Sequence, residues 1–220
     1  MRVDTFGLKD DGFQASPVRP YPLQYSLSST EREIVMNNTF LKLALPLATL
    51  LSTTAMANTF KLSSSDIAAG KFMATAQEFQ GFGCTGGNLS PQLSWTGAPK
   101  GTEAFAILAH DPDAPTGSGW WHWQIVNIGK DVSSMPAGAG DLTKNLTPAG
   151  SLNIKNDYGV AGFGGACPPK GHGVHRYQFT IHALSKKLEL PADASGALTG
   201  YMVKANSLGS STIEALYKRD

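Results

Sequence analysis

The chain has 220 residues, 24 of them glycine, and a formal net charge of +1. That length suits one sizeable domain or at most two small ones. The near-neutral charge, with no run of like charges, argues against a nucleic-acid surface or a polybasic membrane patch. Abundant glycine with few charges fits a loop-rich β protein better than a helical bundle.

Residues 1–35 lack clean periodicity and are rich in Ser, Pro and mixed charges, so they read as a mis-called start or a disordered extension. From Met36 the chain resembles a secretory leader: Lys42 is the positive region, LALPLATLL the apolar stretch, and Ala55-Met56-Ala57 the small-x-small cleavage pattern. The apolar run is shorter than the roughly 20 residues a spanning helix needs. A buried core strand or an uncleaved anchor are the competing readings. Cleavage near Ala57 leaves residues 58–220 as a single domain in the periplasm or outside the cell, with no stable membrane insertion.

Short β-rich runs then recur between turn signals. They are NTFKLSS, SPQLSWTG, TEAFAILAHD, WHWQIVNIG and HRYQFTIHALS, each bounded by Gly, Pro, Asn, Asp or Ser. With no internal repeat or linker, this spacing predicts a mainly β domain, an antiparallel sandwich with Greek-key connections. One or two short helices are expected near the C-terminus. The stretch ADASGALTGYMVKANSLG has Asp193 or Ser195 as a cap and Leu198, Tyr201, Met202 and Ala205 as an apolar stripe. The last run, STIEALYKR, alternates at Ile213, Ala215 and Tyr217, which favours a short edge strand over a final helical turn.

The two cysteines, Cys84 in GFGCTGGN and Cys167 in GFGGACPPKG, sit in glycine-rich loops and suit a disulfide in an oxidising compartment. A catalytic or metal-binding thiol is the alternative, against which stands the absence of a CxxC spacing.

The stretch HDPDAPTGSGWWHW carries the densest chemistry. Strand alternation puts Trp121, Trp123 and Ile125 on a core face and Trp120 and His122 on the other. Further on, His175 and Tyr177 share a face with Phe179 and Ile181 while Arg176 points away. Asp111 ends its strand where Pro112 removes a backbone donor, and Pro115 sets a sharp, fixed turn. That corner brings Asp111 towards His122 or His175, favouring imidazolium. Imidazolium groups, the Tyr177 hydroxyl and free amides around Gly165 to Cys167 would make a donor-rich hollow for phosphate, acetate or a phosphorylated head group. The blander readings are that His110 and His182 are satisfied core histidines, that the tryptophans are packing, and that DPDAP is a plain turn.

A zinc site from His110, Asp111, Asp113, His122, His172 and His175 lacks any HExxH-like spacing, so no metal is expected. A hydrolase using the Asp-His pair as general acid and base is the alternative function, but no GxSxG elbow is present.

The blocks GFGCTGGNLSPQLSW, HDPDAPTGSGWWHWQIVN and GFGGACPPKGHGVHRYQFTIHAL resemble the signatures of the phosphatidylethanolamine-binding protein family, most closely its bacterial, Raf kinase inhibitor-like (YbhB/YbcL-type) branch. The resemblance implies a β-sandwich with a small anion cavity at one end and no cofactor. On it, Asp111 is the pocket acid, Pro115 the turn proline, His122 and His175 the pocket histidines, Tyr177 the pocket tyrosine and Trp120 the residue at the mouth. The loop amides fall at Gly165 to Cys167. Animal members have glycine where Cys167 stands, so a bridge to Cys84 would stiffen the rim. They also carry a longer C-terminal helix, and without it head-group or kinase specificity does not carry over. The implied partner is a small anionic or phosphorylated ligand. A monomer or homodimer is expected, and no residue names a protein partner.

Overall fold

In the computed structural model, residues 59–191 and 193–220 are described. The extension and leader expected over residues 1–57 lie outside them. The strands are β1 (Lys61–Ser63), β2 (Gln80–Gly81), β3 (Cys84–Thr85), β4 (Leu93–Thr96), β5 (Ala104–Asp111), β6 (Trp120–Gly129), β7 (Ser134–Met135), β8 (Leu152–Asn153), β9 (His175–Leu184) and β10 (Ser207–Tyr217). Among the described residues a single α-helix, α1 (Gly196–Ala205), precedes the last strand. One sheet runs β10-β9-β5-β6-β8, a second β1-β4-β7, and β2-β3 forms a separate small hairpin. Every strand pair is antiparallel. Within the large sheet β5, β6 and β8 are neighbours in turn, and β9 returns to lie beside β5. That is the Greek-key order.

Alternation explains the layers. On β5, Phe105, Ile107 and Ala109 face the second sheet, where they meet Leu62, Leu93, Trp95 and Met135. Ala104, Ala106 and Leu108 face the other way, towards Leu188 and Val203 of the helical layer. Both faces of β5 are therefore covered, which is why its sequence is an unbroken apolar run. Each fully buried Ile or Phe of this core contributes roughly 1.5–3 kcal/mol relative to exposure.

Two expectations for the C-terminal region change. Ser195 does cap α1, its hydroxyl accepting from the Leu198 amide at 3.1 Å. The buried face, however, is Gly196, Thr199 and Val203, while Leu198 and Tyr201 are exposed. The cause is Trp121, whose indole occupies the space that a Cβ at Gly196 would need. The helix presents its glycine face because only glycine lets the backbone approach that ring. The final run is a long strand of 11 residues, paired in register from Tyr217↔His175 to Gly209↔Ala183, with a bulge before Ser207↔Leu184. Ile213, Ala215 and Tyr217 point inward from it.

Candidate functional site

The site begins with a fault in alternation. Ala109 pairs with Trp123 and His110 with Trp121, so one step along β5 spans two along β6. His122 is the extra residue of a β-bulge, a device that re-aims a side chain. The bulge overturns the expected common face for Trp121, Trp123 and Ile125. Trp123 and Ile125 stay in the core between the sheets. Trp121 turns to the opposite face, packing against the helical layer and 4.2 Å from the His110 ring. His122 and Trp120 are thereby brought together with Asp111 at one end of the sandwich.

β9 follows the expected pattern. His175, Tyr177, Phe179 and Ile181 are buried along one face. His175 Nδ1 lies 2.7 Å from Asp111 Oδ2, and its Nε2 lies 2.8 Å from Nδ1 of the exposed His172. The second oxygen of Asp111, Oδ1, accepts from the Asp113 amide at 2.8 Å. Both carboxylate oxygens are thus held as acceptors.

The DPDAP corner is anchored from outside. The Thr116 amide donates to the Ala114 carbonyl at 2.8 Å, a tight turn centred on Pro115, whose ring presets the required φ. Asp113 accepts two guanidinium hydrogen bonds from Arg176, at 2.8 and 2.9 Å, and one from the Arg176 amide at 2.9 Å. The Arg176 hydrogen bonds, acting against partial burial, lower the Asp113 pKa from its ordinary 3.8 to about 2. A depressed folded pKa stabilises the protein above the unfolded value and loses that stability as pH falls through the folded one. Asp113→Asn should therefore flatten the acid limb of a stability–pH curve between about 3.8 and about 2. Equilibrium unfolding at stepped pH checks this, and an unchanged slope in the variant refutes it.

The connection from β8 to β9 wraps over the bulge. The Gly164 amide donates to the His122 carbonyl at 2.9 Å, the Ala166 amide to Gln77 at 3.0 Å, and the Gly165 amide to Asn88 Oδ1 at 2.7 Å. These amides are not free, so the expected anion cradle at Gly165 is corrected, and Gly165 is absent from the cavity wall. The loop instead presents carbonyls. Gly164 O and Gly165 O both accept from His122 Nδ1, at 2.7 and 3.1 Å. Gly165 O also accepts from the Tyr158 hydroxyl at 2.9 Å.

With Nδ1 carrying the proton, a neutral His122 ring leaves Nε2 as a lone-pair acceptor. Burial lowers the His122 pKa to about 4, outweighing the hydrogen bonds to Gly164 and Gly165 and the nearby Asp111 carboxylate. Burial therefore favours neutral imidazole at His122, whereas the sequence reading expects imidazolium at His122 or His175.

These groups surround a cavity of about 190 Å³. Asp111, Pro115, Trp120, His122, Cys167, His175 and Tyr177, the candidates named from the sequence and its resemblance, all line it. Tyr158 lines it too and was missed. Its ring stacks on Phe79 at 3.9 Å and meets Trp120 edge-on at 5.2 Å, and no local periodicity marks a loop tyrosine. Burial, with the Asp111 carboxylate nearby, pushes the Tyr177 phenol well above its ordinary range, so it keeps its proton. Trp120 Nε1 and His122 Nε2 are buried yet have no hydrogen-bond partner, and the buried Tyr177 hydroxyl has the Asp111 carboxylate beside it, beyond ordinary hydrogen-bond geometry.

At the rim, Cys84 and Cys167 form a disulfide with Cα atoms 6.0 Å apart, so neither is a free thiol. The bridge ties the β2–β3 hairpin to the β8–β9 loop and holds the exposed Phe82 at the cavity mouth. His110 and His182 lie elsewhere, His110 facing the Ser118 carbonyl at 3.1 Å and His182 facing Ser207 Oγ at 3.3 Å.

A Greek-key sandwich with an acid–histidine pair at the end of its central strands defines the class. The family model for phosphatidylethanolamine-binding protein matches residues 63–218, and the chain belongs to that family. It is similar to YbcL of Escherichia coli, 48% identical over 165 residues, which is 74% of this chain and 90% of YbcL. The YbcL crystal structure superposes with a TM-score of 0.72, covering 73% of this chain and 99% of that one. YbhB of the same organism is 43% identical over 158 residues, 71% of this chain and 99% of YbhB. LppC of Mycobacterium tuberculosis, named as a lipoprotein, is 32% identical over 137 residues, 62% of this chain and 64% of LppC.

Proposed function

We propose that the chain is an exported, non-catalytic binding protein whose cavity receives a small oxyanion, whether phosphate, a phosphorylated head group or a carboxylate. One observation carries the reading: two buried polar atoms, Trp120 Nε1 and His122 Nε2, lack partners around a single cavity. Each such atom costs roughly 1–3 kcal/mol when left unmet, so their gathering on residues that line one cavity supports a guest that meets them. Export is supported by the disulfide, which belongs to an oxidising compartment, and by the relative named as a lipoprotein.

A hydrolase would use the Asp111–His175 pair, but the groups lining the cavity supply no ready nucleophile among the described residues. The Thr116 hydroxyl donates to the Gly119 carbonyl, and Cys167 is bridged.

Titration calorimetry with inorganic phosphate, phosphoethanolamine and acetate tests the proposal. Tyr177→Phe and Trp120→Phe should each weaken binding about tenfold, the equivalent of one lost hydrogen bond to a charged partner. Full affinity in both variants, or no binding by the unaltered protein, would overturn it.

A further inference from the structure

Independently of the cavity at the end of the sandwich, we infer that the large sheet carries a second binding site beside α1, for a sugar that bears a carboxylate. β9 supplies its floor. Tyr177, Phe179 and Ile181 point into the core between the sheets, so Gln178, Thr180 and His182 point to the opposite face. Register sets them beside Leu108 and His110 of β5 and beside Ser210 and Thr212 of β10.

The wall is α1. Gly196 and Gly200 let the helix lie against Trp121, and Ala197, Tyr201 and Lys204 follow on one flank at i, i+4 and i+7. Floor and wall bound a groove of about 500 Å³, lined by side chains from both. Small-molecule sites occupy roughly 300–1,000 Å³. Tyr201, expected on the helix's packed stripe, is instead 69% exposed along this groove.

The polar groups define the guest. His182 is only 8% exposed, and its Nδ1 lies 3.3 Å from Ser207 Oγ. The Ser207 hydroxyl donates to the Gly209 carbonyl at 3.0 Å, so it accepts from His182 Nδ1–H. Burial, with the Lys204 charge nearby, lowers the His182 pKa to about 4. The ring is therefore neutral at pH 7, and its Nε2, without a partner among the described residues, is an acceptor. Thr180 Oγ1 and Thr212 Oγ1 lie 2.8 Å apart. One hydroxyl proton serves that bond, and the other is left to donate.

Charge completes the match. Lys204 makes no ion pair among the described residues. Glu214, on the same face of β10, is already held by Gln178 Nε2 at 2.9 Å and by Arg176 at 3.9 Å. A guest must bring hydroxyls that both donate and accept, and a negative charge for Lys204. A uronic acid does so, and it offers an apolar ring face to Tyr201. An alkyl carboxylate would leave His182 Nε2 unmatched.

A chemical-shift titration of the protein with sodium glucuronate at pH 7 tests this. Glucuronate should move the ring signals of His182 and Tyr201. Glucose lacks the charge and acetate lacks the hydroxylated ring, so each should bind there at least about fivefold more weakly. Lys204→Met and Tyr201→Ala alter exposed side chains and spare the fold. Each should weaken glucuronate binding about fivefold while leaving phosphate binding by calorimetry unchanged. Acetate matching glucuronate at His182 would overturn the sugar, and glucose matching it would overturn the carboxylate. Unmoved His182 and Tyr201 signals, or full glucuronate affinity in both variants, would overturn the site itself. The oxyanion reading fails separately, on the signals of Trp120 and His122.

Discussion

Replacing Cys84 and Cys167 by serine should lower the melting temperature by roughly 8–16 °C, the loss of about 4 kcal/mol spread over the unfolding entropy of a domain this size. The bridge spans 83 positions in sequence. Without it the unfolded chain regains the freedom of a loop of that length, which is where most of the stabilisation arises in a chain-entropy account. Locally, the β2–β3 hairpin is only two residue pairs long, too short to hold itself in place. Its other ties include the Glu78 carboxylate, which accepts from the Thr85 amide at 2.8 Å. It should therefore loosen first, and with it Phe82 at the mouth. Scanning calorimetry with and without reductant measures the global effect. A shift under about 2 °C would show that the folded loops, not the covalent link, supply the order.

Asp111→Ala should be comparably severe, costing about 3–5 kcal/mol, because it strands groups instead of simply removing a contact. Asp111 is 2% exposed. Its removal deprives His175 Nδ1 and the Asp113 amide of their acceptors at 2.7 and 2.8 Å, at the corner where β5 ends. Asp111→Asn keeps the volume and one acceptor oxygen, so it should cost less than half as much. Urea unfolding of both variants and of His175→Ala, closed as a double-mutant cycle, should give a coupling between 111 and 175 above about 1 kcal/mol. Additive losses would mean that the buried contact is incidental to stability.

Much of this site was legible in the residues themselves. The faces of β9 followed from strict alternation, which is a property of the extended backbone alone. Ser195 could be read as a cap because a side-chain acceptor before a helix answers a local need of the first turn. The cysteines in glycine loops, the acid before two prolines and the histidine-bearing strand ends could likewise be picked out one by one, and the resemblance of their blocks to a family joined them.

Other features could not be read that way, and each depends on a distant partner. The bulge at His122 is defined by pairing with β5, so alternation along β6 alone sent Trp121 to the wrong side. The glycine-loop amides looked available because their acceptors, Asn88 and Gln77, lie far away in sequence. Tyr158 became part of the cavity only when its loop folded across β6. Local sequence determined which segments are strands and which side chains carry chemistry, since extended backbone and turn residues impose those choices by themselves. Tertiary structure alone decided which nitrogen of His122 faces the cavity, because hydrogen bonds from an imidazole to carbonyls of residues 164 and 165 exist only once the two segments have met.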